Sequence, residues 1–262
     1  MYYATLHQKQ GEMRALRMLQ EFGNDLTKFV PNIVINDAAQ ETLDLIRRSY
    51  NNFVLLDVRN LDTDGIDILE DLLKLPQNEN FDILYPIEYL VEGSSLNSNN
   101  YVRINKDVVN TFFNQWLQSN YDKLPNKIIL DFGFIESVSN DLVTSFAPIL
   151  SLLKGKTVIV MSGAVPNSIP VASDENYKFP RIEKELFNEM KKISSNDTDL
   201  MFGDYSSVSP IISTGGRAIV QVKYTLDNDY WFVRNGLRQG NYDFVKVCQQ
   251  IASLSGFDEK YC

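Results

Sequence analysis

Three runs constrain this chain more than anything else in it: FVLLDV (53–58), KIILDF (127–132) and KTVIVM (156–161). Each is almost continuously apolar. A strand with one face in water alternates apolar and polar residues, whereas a strand covered on both faces does not have to. Runs of this kind are parallel strands buried on both sides. Parallel strands need long crossovers, and amphipathic helices supply them.

The intervening segments carry that helical pattern. Asp37 caps a helix with Ala39, Leu43, Ile46 and Tyr50 on one stripe. Ile66, Leu69, Leu72 and Leu73 form a second stripe. Asn105 caps a third helix, with Val109, Phe112, Trp116 and Leu117 facing inward. Asn140 precedes Leu142, Phe146, Ile149 and Leu153, and Gly155 stops that helix. Pro180 suits a helix start before Ile182, Leu186, Met190 and Ile193. Asn241 opens the last helix, with Val245, Cys248 and Ile251 on its buried side. Another amphipathic helix follows the polar turn His7–Gln10.

The strand candidates are Tyr2–Leu6, Val30–Ile35, Phe53–Val58, Asp82–Ile87, Lys127–Phe132, Thr157–Met161, Leu200–Asp204 and Ala218–Thr225. Strands alternating with helices imply βαβ units. The expected fold is α/β, a TIM-barrel-like (β/α)8 with an added C-terminal β-hairpin. A doubly wound open parallel sheet is the alternative. The length of 262 residues favours the barrel, and no GxGxxG follows the first strand to support a dinucleotide-binding open sheet. The hairpin is read from VKYTLDNDYWFVRN, with its turn around Asp227-Asn228-Asp229. The stretch EGSSLNSNN (92–100) reads as a polar loop. Residues 1–262 are expected to form a single barrel-like domain.

Composition excludes several function classes. A net charge of −9 without a basic cluster disfavours direct binding to nucleic acid. No apolar run of about 18 residues offers a membrane span, and the N-terminus lacks the pattern of a signal peptide. A cytoplasmic protein is expected. The two cysteines, Cys248 and Cys262, form no CxxC and read as free thiols. The single histidine, His7, is too few for a typical zinc centre, and no GxSxG accompanies it.

In a barrel, chemistry sits at the C-terminal ends of the strands. Those ends carry His7, Gln8, Lys9, Gln10 and Glu12, then Asp57 and Arg59, Glu88, Asp131, and Asp204 with Tyr205. The hairpin adds Arg234, with Arg238 beyond it. VLLDVRN and IILDFGF echo one another, each strand finishing on an aspartate. A carboxylate there is costly unless it is solvated, paired or bound to metal. One reading is a mouth in which Asp57, Glu88, Asp131 and Asp204 hold Mg²⁺ or Mn²⁺, or in which one carboxylate acts as a general base beside Lys9. The other is that these acids cap helices or pair with Lys9, Arg59 and Arg234. Glu12 in the first turn of a helix is accounted for by the helix dipole alone. Tyr205 and Trp231 read as packing residues rather than stacking platforms.

Several stretches, YYATLHQKQGEMRAL, FVLLDVRN, ILDFGFIES, LMFGDYSSVSP and VKYTLDNDYWFVRNG, together resemble the beta protein family, named for a protein of a satellite bacteriophage and found in phages and bacterial mobile elements. The resemblance runs from the first strand to about Gly256. It is most specific at Lys9, Gly11 and Glu12, at Gly203-Asp204-Tyr205, and at Tyr224, Trp231 and Arg234. It implies a phage or mobile-element protein of a defence or toxin-neutralising cassette, acting by binding a protein partner encoded in the same operon. Longer members continue past the position of Cys262 with a polar segment, so an activity housed there is not expected of residues 1–262. The residues alone leave two other functions open: a metal-assisted hydrolase or phosphodiesterase using the acidic mouth, and a small-ligand sensor.

Overall fold

The computed structural model describes residues 1–22, 25–169, 171–172, 175–206, 208–211, 219–237, 243–255 and 257. Eight strands close into a parallel barrel in the order β1 (Tyr2–His7), β2 (Phe29–Val34), β3 (Val54–Asp57), β4 (Phe81–Pro86), β5 (Tyr101–Asn105), β6 (Lys127–Phe134), β7 (Thr157–Gly163) and β9 (Asp199–Asp204). β9 pairs with β7 on one side and with β1 on the other, which completes the ring. The helices α1 (Gln10–Glu21), α2 (Gln40–Ser49), α3 (Thr63–Leu73), α4 (Ile87–Val91), α5 (Thr111–Ser119), α6 (Asn140–Leu152) and α7 (Ile182–Ile193) lie along the chain between them. This is the expected TIM-barrel-like architecture.

Side-chain alternation sorts each strand into two faces. Tyr3, Val30, Leu55, Leu84, Tyr101, Ile129 and Ile159 form one buried cluster without helix residues, so they fill the barrel interior. Leu6, Ile33, Val54, Leu56 and Ile83 pack with Met13, Leu16, Leu43, Ile46, Ile66 and Leu69 from α1–α3. Ile128, Leu130, Val158 and Val160 pack with Phe146, Ile149, Leu186 and Met190 from α6 and α7. Burial on both faces is why these strands read as unbroken apolar runs. The last interior strand has little room: a Cβ on Gly203 would fall 2.7 Å from the Met161 methyl.

Two strand assignments change. The barrel takes Tyr101–Asn105 as its fifth strand, directly after the polar loop. Val102 and Ile104 face outward there, while Tyr101 and Arg103 face inward. The run ending at Thr225 is not a barrel strand. β10 (Ile219–Thr225) pairs antiparallel with β11 (Asp229–Leu237), which pairs antiparallel with β8 (Tyr177–Pro180), forming a separate three-stranded sheet. The expected hairpin is present, closed by Leu226 N–H donating to Asp229 O at 2.8 Å. Pro180 ends β8 instead of starting a helix.

Four further helix readings shift by a residue or more. Asp37 does not cap α2, whose N-cap position is Ala39 with no side-chain cap. Asn105 caps only a single 3-10 turn, while Asn110 caps α5. Phe112 is 82% exposed, and Phe113 is the buried ring. α6 is capped by Ser139, whose hydroxyl accepts from Leu142 N–H. α8 (Phe244–Ala252) is capped by Asp243 and buries Val247 and Ile251, leaving Val245 and Cys248 exposed. Ala218, Arg238, Asn241 and Cys262 lie outside the described residues. Among the described residues no helix is long and apolar enough to cross a membrane.

Candidate functional site

The interior face of the barrel changes character near the C-terminal ends of its strands. Two residues beyond Tyr3, Val30, Leu55, Tyr101 and Ile129, the same faces carry Thr5, Asn32, Asp57, Arg103 and Asp131. An apolar layer is thus followed by a buried polar one. Asp57 is fully buried and Asp131 is 2% exposed. Two carboxylates in such a place require compensation.

Two arginines and a tyrosine supply it. Arg59 Nε donates to Asp57 Oδ2 at 3.0 Å, its Nη2 pairs with the same oxygen, and its backbone N–H donates to Oδ1 at 3.1 Å. Arg59 Nη2 also lies 3.5 Å from Asp131. Arg103 Nη1 sits between the two acids, 3.8 Å from Asp57 and 3.7 Å from Asp131. The Tyr205 hydroxyl lies 2.7 and 2.6 Å from the two oxygens of Asp131 and accepts from Arg59 Nη1 at 3.3 Å. Gly133, at φ +58, turns its N–H onto Asp131 at 2.9 Å. Asn32 Nδ2 donates to Thr5 Oγ1 at 3.1 Å and to Asp57 at 3.4 Å.

The electrostatics follow from these contacts. Burial pushes the Asp57 carboxyl up, but Arg103 and Arg59 outweigh it and hold it below its ordinary value. Burial would lower the Arg59 guanidinium, and Asp57 overrides that and raises it. Burial, then the Asp131 charge, pushes the Tyr205 phenol well above its ordinary value. Two acids thus face two arginines, so the formal charges of the layer match.

Asp204 belongs to a second cluster. It accepts from the Tyr2 hydroxyl at 2.6 Å, from Ser206 N–H at 2.8 Å and from Arg181 Nη2 at 2.9 Å. Arg181 Nε donates to Glu183 Oε1 at 2.8 Å, and the Tyr230 hydroxyl lies 2.7 Å from the same oxygen. Glu183 is fully buried, and its Oε2 has no partner. These contacts tie the end of β9 to the start of α7 and to β11.

The remaining candidates disperse. Glu88 is exposed in the first turn of α4. Arg234 is buried in β11, where its Nη1 donates to Val171 O at 3.0 Å; it belongs to the small sheet. Gln10 is exposed beside a groove between α1 and α2. Glu12 turns back and accepts from the His7 backbone N–H, and burial pushes its carboxyl up. Among the described residues no group of three or more His, Cys, Asp or Glu is arranged to hold a metal ion. The proposed set Asp57, Glu88, Asp131 and Asp204 does not fit Mg²⁺ or Mn²⁺, because its buried members face guanidinium and phenol groups and Glu88 lies elsewhere.

Above this buried polar layer is a cavity of about 420 Å³, lined by His7, Lys9, Asn36, Asn60, Asn167 and Lys223, among others. His7 ends β1, Lys9, Asn36 and Asn60 come from the segments after β1, β2 and β3, Asn167 from the loop after β7, and Lys223 from β10. The small sheet therefore forms one wall of the barrel mouth. Burial, then Lys9 and Arg59, lower the His7 imidazole, which keeps it neutral at neutral pH. Asn60 Nδ2 donates to Asn36 Oδ1 at 2.8 Å.

Arg103, Arg181, Glu183 and Lys223 went unread in the sequence as site residues. Arg103 was legible: in YVRIN the alternation of inward Tyr101, Arg103 and Asn105 with apolar Val102 and Ile104 is a strand signal. The other three become site residues only through the packing of the small sheet.

The sequence model of a family described as Beta protein matches residues 2–261, nearly the whole chain. No curated protein and no solved structure matches it.

Proposed function

Because the chain belongs to the beta protein family, we propose that it is a binding protein of a phage or mobile-element defence cassette, neutralising or regulating a toxic protein encoded beside it. One observation carries the choice of binding over hydrolysis: the carboxylates at the barrel mouth are already committed within the fold. Metal-assisted hydrolysis needs oxygen ligands open to an ion and to water. Asp57 and Asp131 instead face Arg59, Arg103 and Tyr205, and Asp204 faces Tyr2 and Arg181. The net charge of −9 suits a basic partner.

The test is to tag the protein in its native operon, purify it with and without phage challenge, and identify what co-purifies. A stoichiometric partner encoded by a neighbouring gene supports the reading. A partner-free protein under both conditions overturns it. A second reading, a small-ligand sensor, is favoured by the cavity at the mouth and predicts a ligand-dependent rise in melting temperature.

A further inference from the structure

We propose that α3 and α4 form the docking surface for a basic amphipathic helix of the protein partner. This deepens the binding reading above, on which it rests, by naming the face that meets the partner.

The net charge of −9 is not spread evenly along the chain. Residues 60–100 hold nine of its 34 acidic residues and one of its 25 lysines and arginines, and so carry −8 of the −9. The rest of the chain is almost neutral. That segment holds α3, β4 and α4. Two of the nine acids are half-buried and engaged: Glu70 accepts from the Tyr85 and Tyr89 hydroxyls at 2.8 and 3.3 Å, and Asp82 accepts from Ile83 N–H at 2.8 Å. The other seven are exposed. Lys74, the one cation, pairs with Asp71 at 2.7 Å. Among the described residues no ion pair reaches the remaining six exposed acids.

Exposed acids alone make an ordinary solvated face, but this face also carries large apolar side chains. Asp64, Asp67, Ile68, Asp71 and Leu75 recur at three- and four-residue spacing, which places them on one side of α3 and of the turn that ends it. Ile68 is 53% exposed and Leu75 40%. The other side of the helix is the one that packs, through Ile66 and Leu69. α4 repeats the pattern: the exposed Glu88 and Glu92 bracket Val91, which is 50% exposed. Glu70 joins the two helices, because Tyr89 belongs to α4. A single exposed apolar residue needs no explanation; here three stand among acids on neighbouring helices.

Charge complementarity selects the occupant. A surface of this sign repels nucleic acid and anionic lipid, which leaves a protein. A partner helix with apolar residues at i, i+3, i+4 and i+7, flanked by lysine or arginine, matches both parts of the face. Its apolar stripe covers Ile68, Leu75 and Val91, and its cations meet the acids around them, as in an interface with an apolar centre and a polar rim. The charges steer the encounter, and the apolar contact holds it.

The experiment has two arms. The first uses the purified full chain and two synthetic amphipathic helices, one of leucine and lysine and one with glutamate in place of lysine. Binding is read by calorimetry at low and at high salt. The variants are Asp64→Asn/Asp67→Asn/Asp71→Asn, Ile68→Gln, and a control, Asp107→Asn/Asp122→Asn/Asp141→Asn, which removes the same charge from exposed positions elsewhere. The expected result is one-to-one binding of the lysine peptide and none of the glutamate peptide. The α3 triple variant should weaken binding about tenfold or more and reduce its salt dependence. Ile68→Gln should weaken it with the salt dependence kept, and the control should bind as the parent chain does. Failure of the lysine peptide to bind the parent chain, or equal binding by the α3 variant and the control, overturns the proposal. Should the α3 triple variant fail to fold, Ile68→Gln decides, and unchanged binding there overturns it. The second arm repeats the co-purification from the native operon with the α3 variant. A partner held by the parent chain and lost by the variant supports both the surface and the binding reading. A partner held equally by both overturns the surface and leaves the reading standing. No partner on the parent chain overturns the reading, and the peptide arm then decides the surface by itself.

Discussion

The Tyr205 hydroxyl sits between the two carboxylate oxygens of Asp131, 2.7 and 2.6 Å away, closing a contact between the strand ends of β9 and β6. The phenol also accepts from Arg59, so one oxygen joins the acid to the guanidinium that neutralises it. Tyr205→Phe removes that oxygen and leaves Asp131 with a lone pair facing a buried ring edge. The expected loss is about 1–3 kcal/mol, read as a lower urea midpoint with unchanged slope. A midpoint equal to that of the parent chain would show that the tyrosine is only filling space.

Asp57 offers a sharper contrast between structural and catalytic roles. Its carboxylate is fully buried and holds Arg59, with Arg103 at longer range. Asp57→Asn leaves two guanidiniums facing Asp131 alone. Removing one partner of a buried ion pair typically costs about 3–5 kcal/mol. Denaturant unfolding should therefore show a large loss of stability. A hydrolytic Asp57 at an open metal site predicts the reverse: lost turnover with stability intact or improved.

Asp57 and Asp204 respond to pH with opposite signs. Burial is the main influence on Asp204 and pushes its carboxyl up; Tyr2, the Ser206 amide and Arg181 pull it down, Glu183 opposes them, and the net value is raised. The folded state then holds this proton more tightly than the unfolded chain. Its stabilising effect is complete below the unfolded value of about 3.9 and is lost as pH rises through the raised folded value. Asp57 is lowered, so its effect is present above about 3.9 and is lost as pH falls through the depressed folded value. Asp204→Asn abolishes the first titration. Relative to the parent chain, this variant should lose least stability at the upper end of a series of urea midpoints from about pH 4 to pH 7. A constant difference between the two across that range would contradict the assignment.

The barrel was legible because burial on both faces writes itself into single segments such as KIILDF. The aspartates that end β3 and β6 were visible for the same reason, since an acid at the end of an apolar run stands out. Arg59 was among the partners the sequence offered them, and Asp57 pairs with it; the rest of the pairing was missed. Arg103 was overlooked although YVRIN alternates, because a polar loop precedes it and Asn105 reads as a helix cap, while Arg181 and Lys223 meet the barrel only because β8, β10 and β11 form a sheet of their own. Nothing in VKYTLDN distinguishes an edge of that sheet from an eighth barrel strand. Their destinations depend on tertiary pairing, which local periodicity does not encode.

Helix phase shows the same limit on a smaller scale, and it can be tested directly. An Asn105 cap with Val109, Phe112 and Trp116 inward gives a plausible stripe, yet the helix starts at Thr111 under the cap of Asn110, whose side chain accepts from Phe113 N–H at 2.9 Å. Starting there turns Phe113 and Leu117 toward β5 and β6 and leaves Phe112 82% exposed. Phe113 stacks on Trp116 with ring centres 5.9 Å apart. Phe113→Ala should cost about 3–5 kcal/mol, the usual range for a buried ring, whereas Phe112→Ala should stay within about 0.5 kcal/mol. Two urea titrations on neighbouring alanine variants decide it: equal losses, or the larger loss at Phe112, would place the helix in the other phase.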